Sequence, residues 1–264
     1  MHYVDVHTHL THDRFQDDLE QVVARAVDAG VAAMVVNGLE PESNRRILEL
    51  AGQYPEIKPA LGIYPVNAVC DRLPDDLPFE VPRFDVDAEI RFIREQAAAG
   101  NLAAVGECGL DGHWIKESTF PRQEQVFEAF IEIAMKADLP LIIHTRRLEQ
   151  RSVEILRHHR PEKVDFHCFG GKTRLAQEVA EKDGWHFSIP ANARTNTAFS
   201  RMLRVLPAEK ILTETDAPYL GPVRGERNEP ANVVTTVECL AELRGWTVEQ
   251  ARDQVWRNYL ELFG

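Results

Sequence analysis

Two histidines separated by one residue, His7 and His9, lie in the run VDVHTH near the start of a chain of 264 residues. On a strand, alternation sends both side chains to one face, about 7 Å apart along the chain. They could hold one ion between them. Four more residues of metal-binding type follow apolar runs in the same way: Glu107 after LAAVG, His144 after LPLII, His167 after VDF and Asp216 after KILTET. Four imidazoles and two carboxylates exceed the needs of one tetrahedral zinc and suit two divalent ions sharing a carboxylate bridge. The expected division gives His7, His9 and Asp216 to one ion and His144 and His167 to the other, with Glu107 between them. Such a donor set accepts Zn, Mn or Mg. Two ions so held lower the pKa of bound water toward about 7 and clamp both oxygens of an in-line displacement. Asp216 and Glu107 are then the catalytic carboxylates, Asp216 accepting the water's proton.

The elements that must position these residues are legible as eight strand-like apolar runs, 3–7, 32–38, 58–64, 102–108, 139–145, 164–169, 185–190 and 210–216, alternating with amphipathic stretches. In one of these, from Ser118 to Ala137, Val126, Phe130, Ile133, Ala134 and Ala137 share a helical face, Ser118 or Thr119 can cap it and Pro121 falls in its first turn. Continuously apolar strands between helices imply a parallel sheet covered on both faces. Eight such repeats at this length imply a (β/α)8 TIM barrel, with the metal site on the C-terminal rim because all six residues end strands. No linker or repeat interrupts residues 1–264, which are expected to form a single TIM-barrel domain. After the eighth strand, 231–263 reads as closing helices packed through Val234, Val237, Leu240, Leu243, Val255 and Leu260. The Pro- and Asp-rich segment 65–85 is longer than connections usual in such units and is a candidate flap over the site.

Composition excludes several classes. With 44% hydrophobic and 27% charged residues the chain is expected to be globular, and no run is long and apolar enough to span a bilayer. The start lacks a secretory pattern, so a cytoplasmic location is expected. Four scattered cysteines form no CxxC pair. A net charge of −12 argues against a protein that coats duplex nucleic acid through a basic face, though bound cations would reverse the field locally. No GxSxG, P-loop or GxGxxG pattern competes for the chemistry, and nothing points to a protein partner.

The chain resembles the TatD family of metal-dependent deoxyribonucleases, amidohydrolase-like barrels, through DVHTHL (5–10), VGECGLD (105–111), PLIIHTR (140–146), HCFGG (167–171) and TETDAPYLGPVRGERNEPANV (213–233). The resemblance implies a two-metal phosphodiesterase that acts on DNA from the 3′ end, with a preference for single strands, and ligands at the six residues above. It also places Arg227, Asn228 and Glu229 near the rim, contacting phosphate or bracing the loop. Three departures stand out. Tyr64-Pro65-Val66-Asn67 replaces a His-Pro-His thought to face phosphate, leaving Tyr64 to stack on an unpaired base or donate its hydroxyl. Arg147 replaces an acidic residue and, with Arg146 and Arg151, makes a basic stretch able to guide a strand. Gly112-His113 replaces an aromatic pair, with Trp114 one position later as a stacking candidate. A hydrolase of a small amide, lactone or phosphodiester on the same barrel is the alternative, and a non-catalytic metal-dependent binding module a third reading.

Overall fold

The computed structural model describes residues 1–73 and 77–264. Strands and helices alternate as β1 (Tyr3–Thr8), α1 (Leu19–Asp28), β2 (Val31–Asn37), α2 (Pro41–Gln53), β3 (Ile57–Leu61), α3 (Val86–Ala98), β4 (Ala104–Asp111), α4 (Phe120–Ala137), β5 (Leu141–Arg146), α5 (Glu149–His159), β6 (Val164–His167), α6 (Thr173–Lys182), β7 (His186–Ile189), α7 (Thr197–Val205), β8 (Ile211–Thr213), α8 (Val233–Arg244) and α9 (Val248–Phe263). The strands are parallel and in sequence order. The seam between first and last is joined by Asp216 N–H to the His7 carbonyl (2.9 Å), His9 N–H to the Ala217 carbonyl (2.8 Å) and the Thr213 hydroxyl to the Val4 carbonyl (2.8 Å). The result is the expected (β/α)8 barrel.

Alternation explains the layers. On β6, Val164 and Phe166 face outward to the helices, whereas Asp165 and His167 contact side chains of other strands across the barrel. Phe166 stacks on Phe187 and Phe169 meets both edge-on, with ring centroids 5.2–5.6 Å apart, and Trp185 adjoins Phe166. Burial of such outward-facing residues against amphipathic helices supplies the main driving force. Among the described residues no helix is long and apolar enough to cross a membrane.

The strand ends differ from expectation in ways that matter at the rim. β3 stops at Leu61, leaving Tyr64 in the following loop, and β6 stops at His167. β8 stops at Thr213, so Asp216 lies three residues past it, in a left-handed turn (φ 52°) that an Asp tolerates. β4 runs past Glu107 to Asp111, with a register shift against β5 between Val105 and Cys108. Gly109 within it has φ 137°, and a Cβ there would strike the His144 carbonyl, so only glycine lets the two site strands approach so closely. α4 begins at Phe120 behind Thr119, whose hydroxyl donates to the Lys116 carbonyl (2.7 Å) instead of capping the helix.

Of the residues expected to pack the closing helices, Val237, Leu240 and Val255 are buried, but Leu260 is 49% exposed, because the buried stripe of α9 runs through Val255, Tyr259 and Leu262. The candidate flap is in part a packed element: Val66 and Val69 form a small apolar cluster with Ile115, against which Tyr64, Leu77, Val81 and Trp114 lie. Its positions 74–76 lie outside the described residues.

Phe166, fully buried beside His167 at the end of β6, tests this packing. Phe166→Ala should cost about 3–5 kcal/mol of stability, read from the urea midpoint.

Candidate metal centre

Six side chains meet at the mouth of the barrel, and Glu107 stands in the middle of them. Its Oε2 lies 3.3 Å from His7 Nε2 and 3.4 Å from His9 Nε2, while its Oε1 lies 2.8 Å from His144 Nδ1 and 3.2 Å from His167 Nε2. The two carboxylate oxygens therefore face different histidine pairs. Asp216 Oδ1 closes the first group, 3.4 Å from His9 Nε2 and 3.8 Å from His7 Nε2. Within each pair the imidazole nitrogens face one another, at 3.2 Å for His7 and His9 and 3.3 Å for His144 and His167. The His7 and His167 rings are stacked at 3.8 Å, which ties the groups together across the barrel. Three overlapping sets, His7–His9–Glu107, Glu107–His144–His167 and His7–His167–Asp216, each converge closely enough to hold a cation.

The tautomers support this reading. His9 Nδ1 has the Asn37 carbonyl as its partner at 3.1 Å, which fixes the proton there and leaves an Nε2 lone pair pointing inward. For His144 the arrangement is reversed: Nε2–H donates to Asp111 Oδ2 (3.1 Å), so Nδ1 is the inward atom. Asp111 is itself held by backbone N–H groups of His113 (2.7 Å) and Trp114 (3.1 Å) and, through its own backbone, by Gln123. Opposed lone pairs at such distances repel unless a proton or a cation lies between them. The residues fit a pair of divalent ions with Glu107 between them.

Electrostatics follow from burial and proximity. Burial, reinforced by the neighbouring His167, pushes His7 down to about 3. Burial acts the same way on His9, His144 and His167, but carboxylates outweigh it and raise all three: Asp216 and Glu107 at His9, Asp111 and Glu107 at His144, Glu107 and Glu214 at His167. Burial would raise Glu107, yet the charge of His167 and the bonds from His144, His167 and His7 hold it well below the ordinary carboxylate range. Asp216 is lowered against the same burial by His9 and His167.

Beneath the rim the barrel interior is unusually polar. Ser188 Oγ lies 2.8 Å from Asp165 Oδ2 and 2.6 Å from Glu214 Oε2, and one hydroxyl hydrogen cannot serve both, so one acid keeps its own proton. Burial and the neighbouring Glu214 carry Asp165 up to about 7. Asp5 accepts from Thr215 N–H (2.9 Å), Thr215 Oγ1 (2.5 Å) and His7 N–H (3.3 Å), pinning β1 to the segment that carries Asp216.

The remaining candidates separate into two groups. Tyr64 is at the site: its hydroxyl donates to Asp111 Oδ2 (3.2 Å) and its ring meets His144 edge-on at 4.8 Å. Arg146, exposed and in no ion pair among the described residues, lies over Trp114 at 5.4 Å. Arg151, expected to extend this basic stretch, instead pairs with Glu124 at 2.7 Å. Arg227 and Asn228 do not reach the ligands and brace the loop. Arg227 is paired with Asp18 (2.6 Å) and the Arg14 carbonyl. Asn228 is 1% exposed, and its amide donates to the Thr215 and Tyr219 carbonyls at 2.8 and 2.7 Å, which leaves no donor for a substrate. Glu229 is paired with Arg25 (2.6 Å). Sequence reasoning left Asp5, Asp111, Asp165, Ser188 and Glu214 without roles. The signal for four of them was the period of two, since Asp5, Asp165 and Glu214 each precede a candidate ligand by two residues and Asp111 follows Glu107 by four.

Comparison with known proteins identifies the family. Residues 4–264 match the family model described as TatD related DNase. The uncharacterized metal-dependent hydrolase YabD of Bacillus subtilis (strain 168) is 33% identical, covering 98% of both chains. The 3′-5′ ssDNA/RNA exonuclease TatD of Shigella flexneri serotype 5b is 30% identical, again over 98% of each. The crystal structure of YJJV, a TatD homolog from Escherichia coli K12, superposes with a TM-score of 0.85 at 26% identity, covering 99% of this chain and 97% of that one.

The shifts above predict distinct histidine titrations. In metal-free protein, imidazole nitrogen NMR from about pH 4 to pH 9 should show His7 neutral throughout and His9, His144 and His167 protonated to higher pH than an ordinary histidine. A divalent cation must displace those protons, so its affinity should fall as pH is lowered, with proton release on binding at neutral pH.

Proposed function

This chain is a metal-dependent hydrolase of the TatD related DNase family, and from that we propose that it removes nucleotides from the 3′ end of DNA, single strands being the preferred form. The observation that carries the reading is the Glu107 carboxylate, whose two oxygens face different histidine pairs. His7, His9 and Asp216 would hold one cation and His144 and His167 the other, with Glu107 within reach of both. Divalent ions of the Mg, Mn or Zn type supply an activated water and neutralise phosphate charge when bound there. The name of the Shigella flexneri relative, a 3′-5′ ssDNA/RNA exonuclease, supports the direction of attack and the strand preference.

The chain's own residues do the rest. Asp216 has the most solvent-open carboxylate of the group, 16% exposed against 3% for Glu107, and accepts the proton of the attacking water. Arg146 pairs with a backbone phosphate, and the Trp114 ring beneath it keeps the guanidinium at the rim. Tyr64, held by Asp111 at the edge of His144, offers its ring to the terminal base. On a chain of net charge −12, these local cations decide where a polyanion can settle.

Hydrolysis of a 5′-labelled single-stranded oligonucleotide tests the reading. A ladder shortening from the 3′ end, lost on chelation and in the His7→Ala/His9→Ala protein, is the expected result. Strands left intact under Mg, Mn and Zn would overturn it in favour of a small amide, lactone or phosphodiester substrate. Asp216→Asn should lower kcat about 100-fold or more, with metal content measured in parallel to separate proton transfer from ligand loss. Arg146→Ala should raise KM about fivefold to tenfold with little change in kcat.

A further inference from the structure

A second hollow opens on the same face of the barrel, about 610 Å³ in volume, between the loop after β7 and the loop after β8. Asn192 and Thr195 contribute from the first loop, and Leu220, Gly221, Arg224 and Glu226 from the second. Both walls are fixed. Asn228 closes the second loop at its base through the Thr215 and Tyr219 carbonyls, and its own N–H reaches the Pro218 carbonyl (3.1 Å). The first loop is held by α8, where Thr235 Oγ1 donates to the Ala191 carbonyl (3.1 Å) and Thr236 Oγ1 to the Pro190 carbonyl (3.0 Å).

Thr195 turns its hydroxyl and its N–H back to the Asn192 carbonyl (3.1 and 3.0 Å), but other donors of the hollow have no protein partner. On this acid-rich surface Arg25, Arg194 and Arg227 are each paired with a carboxylate, yet Arg224 enters no ion pair among the described residues. The backbone N–H groups of Gly221, Val223, Arg224 and Gly225 make no backbone hydrogen bond there either, and Gly225 takes φ 89°. A guanidinium beside free main-chain N–H groups suits an anion with several oxygens, and Glu226 is the one acid in the lining. In barrels of this class the loops after strands seven and eight are a recurrent phosphate position. The hollow also begins close to the chemistry, since Leu220 is four residues from Asp216 and Tyr219 N–H donates to the Asp216 carbonyl (2.8 Å).

We propose that this hollow binds the phosphate adjacent to the scissile one in a nucleotide chain, with Arg224 as its charged ligand. The proposal rests on the phosphodiesterase reading above and names a substrate contact that Arg146, on β5, does not provide. It makes chain length a determinant of affinity, because a substrate with a single phosphate leaves the hollow unfilled.

The test compares two thymidine substrates: TpT, which carries only the scissile phosphate, and TpTpT, which adds one more. Metal-loaded wild-type protein should show a KM for TpTpT about fivefold or more below that for TpT. Arg224→Ala should shrink that ratio at least about threefold, and Arg224→Lys should restore part of it. A wild type with no TpTpT advantage overturns the proposal, as does an Arg224→Ala protein that keeps the full ratio. If wild type cleaves neither substrate, the phosphodiesterase reading fails separately, and equilibrium binding of fluorescein-labelled TpTpT decides the hollow. Weaker binding by Arg224→Ala, about threefold or more, then supports it, and equal binding overturns it.

Discussion

A carboxylate 3% exposed and surrounded by imidazole nitrogens at 2.8–3.4 Å is the constraint on which the rest of the structure depends. Burying the Glu107 charge would cost several kcal/mol if it were left unpaired. Its four partners come from β1, β5, β6 and the residue just past β1, so those elements must be held in one register. The close approach of β4 and β5 at Gly109, the Asn37 carbonyl that orients His9 and the Asp111 carboxylate that orients His144 all serve that arrangement.

The barrel meets this demand by dividing its strands into two environments. Outward positions such as Phe166 and Phe187 pack into an apolar shell beneath the helices. Inward positions near the mouth carry Asp5, Asp165, Ser188 and Glu214, linked by short hydrogen bonds instead of the branched apolar residues that usually fill such interiors. This polar layer supports the rim cluster from below, since Asp5 ties β1 to the Asp216 segment and Glu214 approaches His167 Nδ1 at 3.7 Å.

Much of this was legible in the sequence because it depends on alternation. Eight apolar runs gave the barrel, and six polar residues following such runs gave the rim set. What alternation does not encode is where a strand hands over to a loop. Asp216 reads as the end of a strand, but the chain leaves the sheet at Thr213 and brings the carboxylate back through a left-handed turn. The resemblance leaves Arg227 and Asn228 either contacting phosphate or bracing the loop, and the structure gives them bracing contacts. Their partners, Asp18 and the carbonyls of Thr215 and Tyr219, depend on tertiary closure that spacing along the chain does not reveal. The position of Arg224 in a walled hollow is hidden for the same reason.

The seam between β1 and the segment after β8 has a consequence for how the protein is made. His7 and His9 leave the ribosome well before Asp216, whose link to the His7 carbonyl becomes available only about 200 residues later. Until then the amino-terminal histidines belong to an open sheet with an unpaired edge, and contacts of such long sequence separation form slowly. Vectorial synthesis thus keeps the rim cluster incomplete on the nascent chain, and its assembly coincides with the closing of the barrel.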